Sequence, residues 1–251
     1  MRRRQGLTTL LAALLAAAAA LVAGCGANAT RDVAQQRTCP PGTVSALGSP
    51  AKTYAAIVRT FARAYRHPGT GAIARFRQNT PYGVPTVFAV QAAVLGRNCH
   101  PAWYRVELPI RPNGRVGYVR AAAVEVSAVR TRIAVDLSRK LLTFYRDGHV
   151  RWRLRVGIGA SATPTPVGSF YVNQRFREDP AGPYGPAVLG ISAYSPVLTW
   201  WPDGGPVAIH GTNRPWTIGR AASNGCIHVT NSAVERLLRI TPAGTPVVIS
   251  A

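Results

Sequence analysis

The run HVRWRLRV, residues 149–156, alternates apolar and cationic side chains one for one. Val150, Trp152, Leu154 and Val156 fall on one side of a pleated strand, and Arg151, Arg153 and Arg155 on the other. A period of two specifies a half-buried antiparallel strand; a helix repeats its faces every 3.6 residues. An Asp147-Gly148 pair ahead of it reads as a hairpin turn, and similar short runs surround it: RIAVDLS, LLTFY, GSFYV, PVAIH and PVVIS. The one good helix signal comes late, where Ser232 and Glu235 suit a capping box before AVERLLRI. Long Gly/Pro loops at 157–169 and 179–206 join the strands, and such loops on a β scaffold commonly carry substrate contacts. The predicted fold class is mostly β.

The β-rich unit is expected at 129–251, after a second compact unit at 51–126. In that second unit YAAIVRTFARAY places Ile57, Phe61 and Tyr65 at helical spacing, which leaves a helix at 54–65 open. TVFAVQAAVL and AWYRVELPI read as strands, and RPNGRVGYVR as a hairpin turning at Asn113-Gly114. GRVGYVRAAAVEV resembles the end of a bacterial SH3-like module, so a small β-barrel or sandwich is expected, either holding wall polymer or spacing the next domain. Residues 25–50, rich in Ala, Thr, Gly and Pro, read as an extended tether.

Residues 1–24 carry a basic start, Arg2-Arg3-Arg4, and an uncharged Leu/Ala stretch, the pattern of a secretory signal. Val22-Ala23-Gly24-Cys25 resembles a bacterial lipobox, which implies lipidation at Cys25; the alternative is an ordinary signal or an uncleaved anchor. The expected location is therefore outside the cytoplasm, at the membrane and facing the cell wall. Export favours disulfides. With Cys25 taken by lipid, Cys39 and Cys99 form the natural pair, and Cys226 is left over as a free thiol. The net charge of +21, with nine acidic residues, fits an anionic wall or membrane surface. No zinc spacing, basic heptad or RNP-like strand points to nucleic acid.

Cys226 sits in SNGCIHV, sixteen residues after His210 (226 − 210). Acyl transfer through cysteine needs a thiolate, a base beside it and donors for the oxyanion. Gly225 lets the chain turn tightly so that nearby amides can converge, and His210 ends the apolar run PVAIH. A partner must fix the imidazole, either Asp203 or a backbone carbonyl near Gly211. A metal at Cys226, His210 and His228 lacks a fourth ligand of convincing spacing. Papain-like peptidases run Cys before His, the reverse of this order, and sortases resemble Thr-x-Thr-Cys rather than Ser-Asn-Gly-Cys.

IHGTNRPWTIGRAASNGCIHVTN, residues 209–231, resembles the signature of the YkuD-type L,D-transpeptidases, and TPTPVGSFYV, residues 163–172, resembles that family's Thr-Pro-x-Gly-x-Phe element. The resemblance implies Cys226 as nucleophile, His210 as general base and the Gly211 carbonyl as its orienter. It also implies backbone donors around Ser223, Asn224, Gly225 and Cys226. Two departures stand out: many members have His at Asn224 and Arg at His228. The implied reaction forms 3→3 peptidoglycan cross-links through a thioester with a tetrapeptide stem, or releases the stem to water as an L,D-carboxypeptidase. An inactive wall-binding lipoprotein is the further alternative. No metal or cofactor is implied, and carbapenems are implied acylating inhibitors. Tyr194, Trp200 and Trp201 in the 179–206 loop are candidates to line the donor site, with packing the alternative for at least one tryptophan; His228 is a candidate for the substrate carboxylate.

Overall fold

The computed structural model describes residues 39–251, so the signal, the lipobox Cys25 and the start of the tether lie outside the described residues. Residues 44–129 build one sheet. Its strands are β1 (Val44–Ala46), β2 (Thr53–Val58), β3 (Phe61–His67), β4 (Thr70–Arg77), β5 (Val87–Leu95), β6 (Pro101–Glu107), β7 (Val116–Arg120) and β8 (Val124–Val129). They lie in the order β4-β3-β7-β6-β5-β2-β8, with β1 also paired to β5. Residues 131–250 supply β9 (Thr131–Asp136), β10 (Leu141–Arg146), β11 (His149–Arg155), β12 (Ile158–Gly159), β13 (Gly168–Arg177), β14 (Ala187–Tyr194), β15 (Pro206–His210), β16 (Ala221–Ser223), β17 (Ile227–His228), α1 (Asn231–Ile240) and β18 (Pro246–Ser250). The second sheet runs β11-β10-β9-β18-β13-β14-β15-β17, and β12 and β16 form a small parallel pair.

The alternating run at 149–155 is β11, the edge of the second sheet, paired only to β10. Its exposed arginines face solvent at an open edge, where charge discourages pairing with another chain. Asp147 (φ 53°) and Gly148 (φ 80°) form the preceding turn; two positive φ angles match the twist of the flanking strands.

No helix forms at 54–65. The chain turns at Arg59-Thr60, between β2 and β3, and small residues face the core: Ala55, Ala56, Ala62 and Ala64 are buried, while Ile57 and Phe61 are 37% and 44% exposed. The four-residue spacing of large apolar side chains belongs to the outer surface, not to a helical stripe. Asn113-Gly114 is likewise not a two-residue hairpin turn but part of an eight-residue connection, 108–115, between β6 and β7. The stretch 39–50 is not a free tether: β1 pairs with β5, and Cys39 is disulfide-bonded to Cys99.

Helix α1 is capped two residues earlier than the sequence suggests. Thr230 Oγ1 accepts the Ala233 N–H at 3.3 Å, so Ser232 and Glu235 form no capping box. Val234 and Leu237, one turn apart, bury completely against the core of the second sheet. Each contributes about 1.5–3 kcal/mol by leaving water.

The two sheets meet through buried polar contacts. Tyr171, wholly buried, aims its hydroxyl at the carbonyls of Val87 (3.1 Å) and Glu107 (3.2 Å). Ser192 Oγ donates to Glu107 at 2.7 Å. Gly244, at φ 86°, packs so closely on Ala55 that a side chain there would overlap it. A second tie reaches from the 108–115 loop: Asn113 donates to the Tyr194 carbonyl (2.9 Å) and accepts its N–H (2.8 Å), while Arg111 donates to Ser195 O and Gly204 O.

Candidate active site

Strands β15 and β17 are parallel neighbours, with Ile209 opposite Ile227 and His210 opposite His228. Side chains alternate along a strand, so Ile209 and Ile227 enter the core while His210, His228 and Cys226 share the other face. There the three residues line one groove of about 650 Å³. The imidazoles of His210 and His228 lie 4.8 Å apart, centre to centre, and the Tyr184 ring stands edge-on to His210 at 4.9 Å.

His210 is almost wholly buried, and its Nδ1 is 2.6 Å from Gly211 O. A carbonyl only accepts, so Nδ1 carries the proton and Nε2 keeps its lone pair. Asp203 does not serve this ring, because it accepts the Tyr82 hydroxyl at 2.6 Å. Burial, aided by His228 and opposed by the Gly211 carbonyl, holds the His210 pKa down to about 4. The ring is neutral at neutral pH, the form in which it can take a proton. Gly211 cannot carry a side chain, since a Cβ would overlap Asn231 Oδ1, which accepts the Thr212 N–H at 2.8 Å and fixes the loop after His210.

Cys226 is the free cysteine among the described residues. Burial pushes its thiol pKa up, and the Ala208 amide pulls it back. The turn before it closes on itself: Ser223 Oγ donates to Cys226 O (2.6 Å) and accepts the Gly225 N–H (3.2 Å), with Gly225 at φ 107°. Gly225's amide is therefore occupied, a correction to its place among the oxyanion donors. The Asn224 and Cys226 amides make no such bond.

His228 Nδ1 is 2.9 Å from Thr217 Oγ1, whose own proton goes to Arg214 O at 2.8 Å. The hydroxyl must then accept, which fixes the same Nδ1–H tautomer in His228. Burial, then Arg214, lowers the His228 pKa, so the permanent cation in the groove is Arg214 rather than His228. Arg214 and Thr217 lie within the 209–231 signature but were not singled out by type or spacing.

The long segment 179–206 is not one loop, because β14 occupies its middle. Tyr194 and Trp201 line the groove. Tyr194 is also an anchor, its hydroxyl donating to Pro109 O at 2.7 Å. Trp200 is 75% exposed and stands outside the groove. Among the described residues no cluster of His, Cys, Asp and Glu could hold a metal ion, and no helix is long and apolar enough to cross a membrane.

The family described as the L,D-transpeptidase catalytic domain, YkuD, matches residues 130–249. YkuD of Bacillus subtilis is 37% identical over 118 residues, 47% of this chain and 65% of that protein. YqjB of Bacillus subtilis is 33% identical over 129 residues, 47% of this chain and 70% of its own length. The chain thus spans just under two thirds of the YkuD protein. Among solved structures, an L,D-transpeptidase of Enterococcus faecium overlaps with a TM-score of 0.37 at 28% identity, covering 48% of this chain and 49% of that one. From the shared stretch, the chain belongs to the YkuD family of L,D-transpeptidase catalytic domains.

Proposed function

We propose that the protein is an exported, lipid-anchored L,D-transpeptidase that forms 3→3 cross-links in peptidoglycan through a thioester on Cys226. The observation that carries this reading is the pairing, on one strand face, of the free thiol with a neutral imidazole whose Nδ1 is tied to Gly211 O.

As a tetrapeptide stem enters the groove, His210 Nε2 takes the thiol proton. The sulfur attacks the carbonyl of the third residue, and the Asn224 and Cys226 amides receive the oxyanion. The tetrahedral adduct collapses, the terminal D-Ala leaves as an amine with the proton returned by His210, and a C–S bond remains. The side-chain amine of a second stem then forms the C–N bond as the C–S bond breaks. Water in its place gives L,D-carboxypeptidase activity. Arg214 replaces His228 as the cation that meets a substrate carboxylate. The excess of Lys and Arg over Asp and Glu, 30 against 9, suits a surface working against an anionic wall.

The test is intact-mass spectrometry of the protein with a carbapenem, beside dimer formation from purified tetrapeptide muropeptides. A covalent adduct on Cys226 and loss of 3→3 dimers in Cys226→Ala are expected. Dimer formation retained in that variant would refute the assignment, and an unreacted thiol with muropeptide still retained would favour a binding protein.

A further inference from the structure

A second cavity, of about 940 Å³, opens beside the catalytic groove and shares Tyr82, Asn173, Gln174, Tyr194, Asp203 and Pro206 with it. Its far wall comes from the first sheet: Arg75 and Arg77 on β4, and the 78–82 segment that follows. Both arginines are exposed, and neither forms an ion pair among the described residues. Asp203, the one acid lining this cavity, is engaged by Tyr82. The cavity therefore presents two cations against a single carboxylate, and that carboxylate is tied to Tyr82 rather than to either arginine.

Two buried polar atoms in its wall have no partner: Asn173 Oδ1, on a residue only 8% exposed, and Thr80 Oγ1. A buried amide oxygen without a donor costs about 1–3 kcal/mol, and a ligand N–H that reached Asn173 would recover that cost. A ligand suited to this cavity brings carboxylates for Arg75 and Arg77 and an N–H donor for Asn173.

A peptide stem with a free side-chain amine and ionised carboxyl groups has both. We propose that this second cavity is the acceptor site, and that the first sheet supplies its carboxylate-binding wall. The proposal rests on the transpeptidase reading. With its carboxylates held there, the acceptor stem extends its side-chain amine past the shared residues into the catalytic groove and attacks the Cys226 thioester: a C–N bond forms, the C–S bond breaks, and the amine proton passes through His210 to the leaving sulfur.

The experiment uses the full chain and its Arg75→Gln/Arg77→Gln variant. A tripeptide stem, which lacks the residue displaced from a donor, acts only as acceptor and is titrated against a fixed tetrapeptide donor. Thioester formation with a carbapenem is followed separately by intact mass. The half-saturating tripeptide concentration should rise tenfold or more in the variant, about one decade for each 1.4 kcal/mol of lost ionic hydrogen bonding, while the thioester forms in both proteins. An unchanged tripeptide dependence with normal thioester formation would overturn the acceptor site alone. Absence of the thioester in the parent protein would overturn the enzyme reading and this proposal with it.

Discussion

Arg111→Ala should loosen one wall of the catalytic groove without touching its chemistry. The guanidinium reaches from the first sheet to two carbonyls of the second, Ser195 O at 2.6 Å and Gly204 O at 3.0 Å. These bracket the 195–205 loop, which contributes Leu198, Trp201, Pro202 and Asp203 to the groove. An ionic hydrogen bond contributes about 1.5–3 kcal/mol. Because Arg111 is only half-buried and water can replace part of it, a net loss of about 2 kcal/mol is expected for the pair. That raises the open population of the loop about 30-fold. The assay is hydrogen exchange at Ser195, Trp201 and Gly204, whose amides bond to Gly205 O, Leu198 O and Trp201 O within the loop. They should exchange about 30-fold faster, while β5 amides stay protected. Arg111→Lys should fall between, since an ammonium lacks the planar fork that serves both carbonyls. Unchanged exchange at all three loop amides in Arg111→Ala would refute the idea that the first sheet holds this wall.

Two further outcomes follow from buried groups. The folded pKa of His210, about 4, lies below its ordinary 6.5, so its contribution to stability is complete above pH 6.5 and is lost as pH falls toward 4; about 2 kcal/mol should be gone by pH 5, and urea unfolding of His210→Gln should lack that part of the pH dependence. Tyr171→Phe removes the hydroxyl that faces Val87 O and Glu107 O and should cost about 1–3 kcal/mol, lowering Tm by about 2–4 °C for each kcal/mol in a protein of this size.

What was legible in the sequence was local. The alternation at 149–156 and the Asp147-Gly148 turn encode a hairpin within a dozen residues, and both are present. The signature around Cys226 is legible because one strand pairing and one self-closing turn gather its parts. The helical spacing at 54–65 misled because Arg59-Thr60 turns the chain, and alanines rather than the large side chains face inward. The role of 108–115 was invisible, because Arg111 and Asn113 act on partners more than eighty residues away. Asn173 carries no local signal either: its interest lies in what its amide oxygen lacks, which only the packed sheets reveal.

The two departures from the family pattern, Asn224 and His228, bear on how the thiol is activated. Burial raises the Cys226 pKa and lowers that of His210, so the resting pair is thiol and neutral imidazole, not thiolate and imidazolium. A preformed ion pair would be the weaker design here, because the burial of both groups would desolvate both charges at once. In the proposed mechanism proton transfer instead accompanies attack, when the sulfur's developing charge passes on to the carbonyl oxygen and the free amides. That sequence needs one base with a fixed tautomer, which the Gly211 carbonyl provides. It does not need a second base at 224. Nor does it need a cation at 228: a charge there, 4.8 Å from His210, would depress the base further, whereas a neutral imidazole held by Thr217 leaves the cation to Arg214.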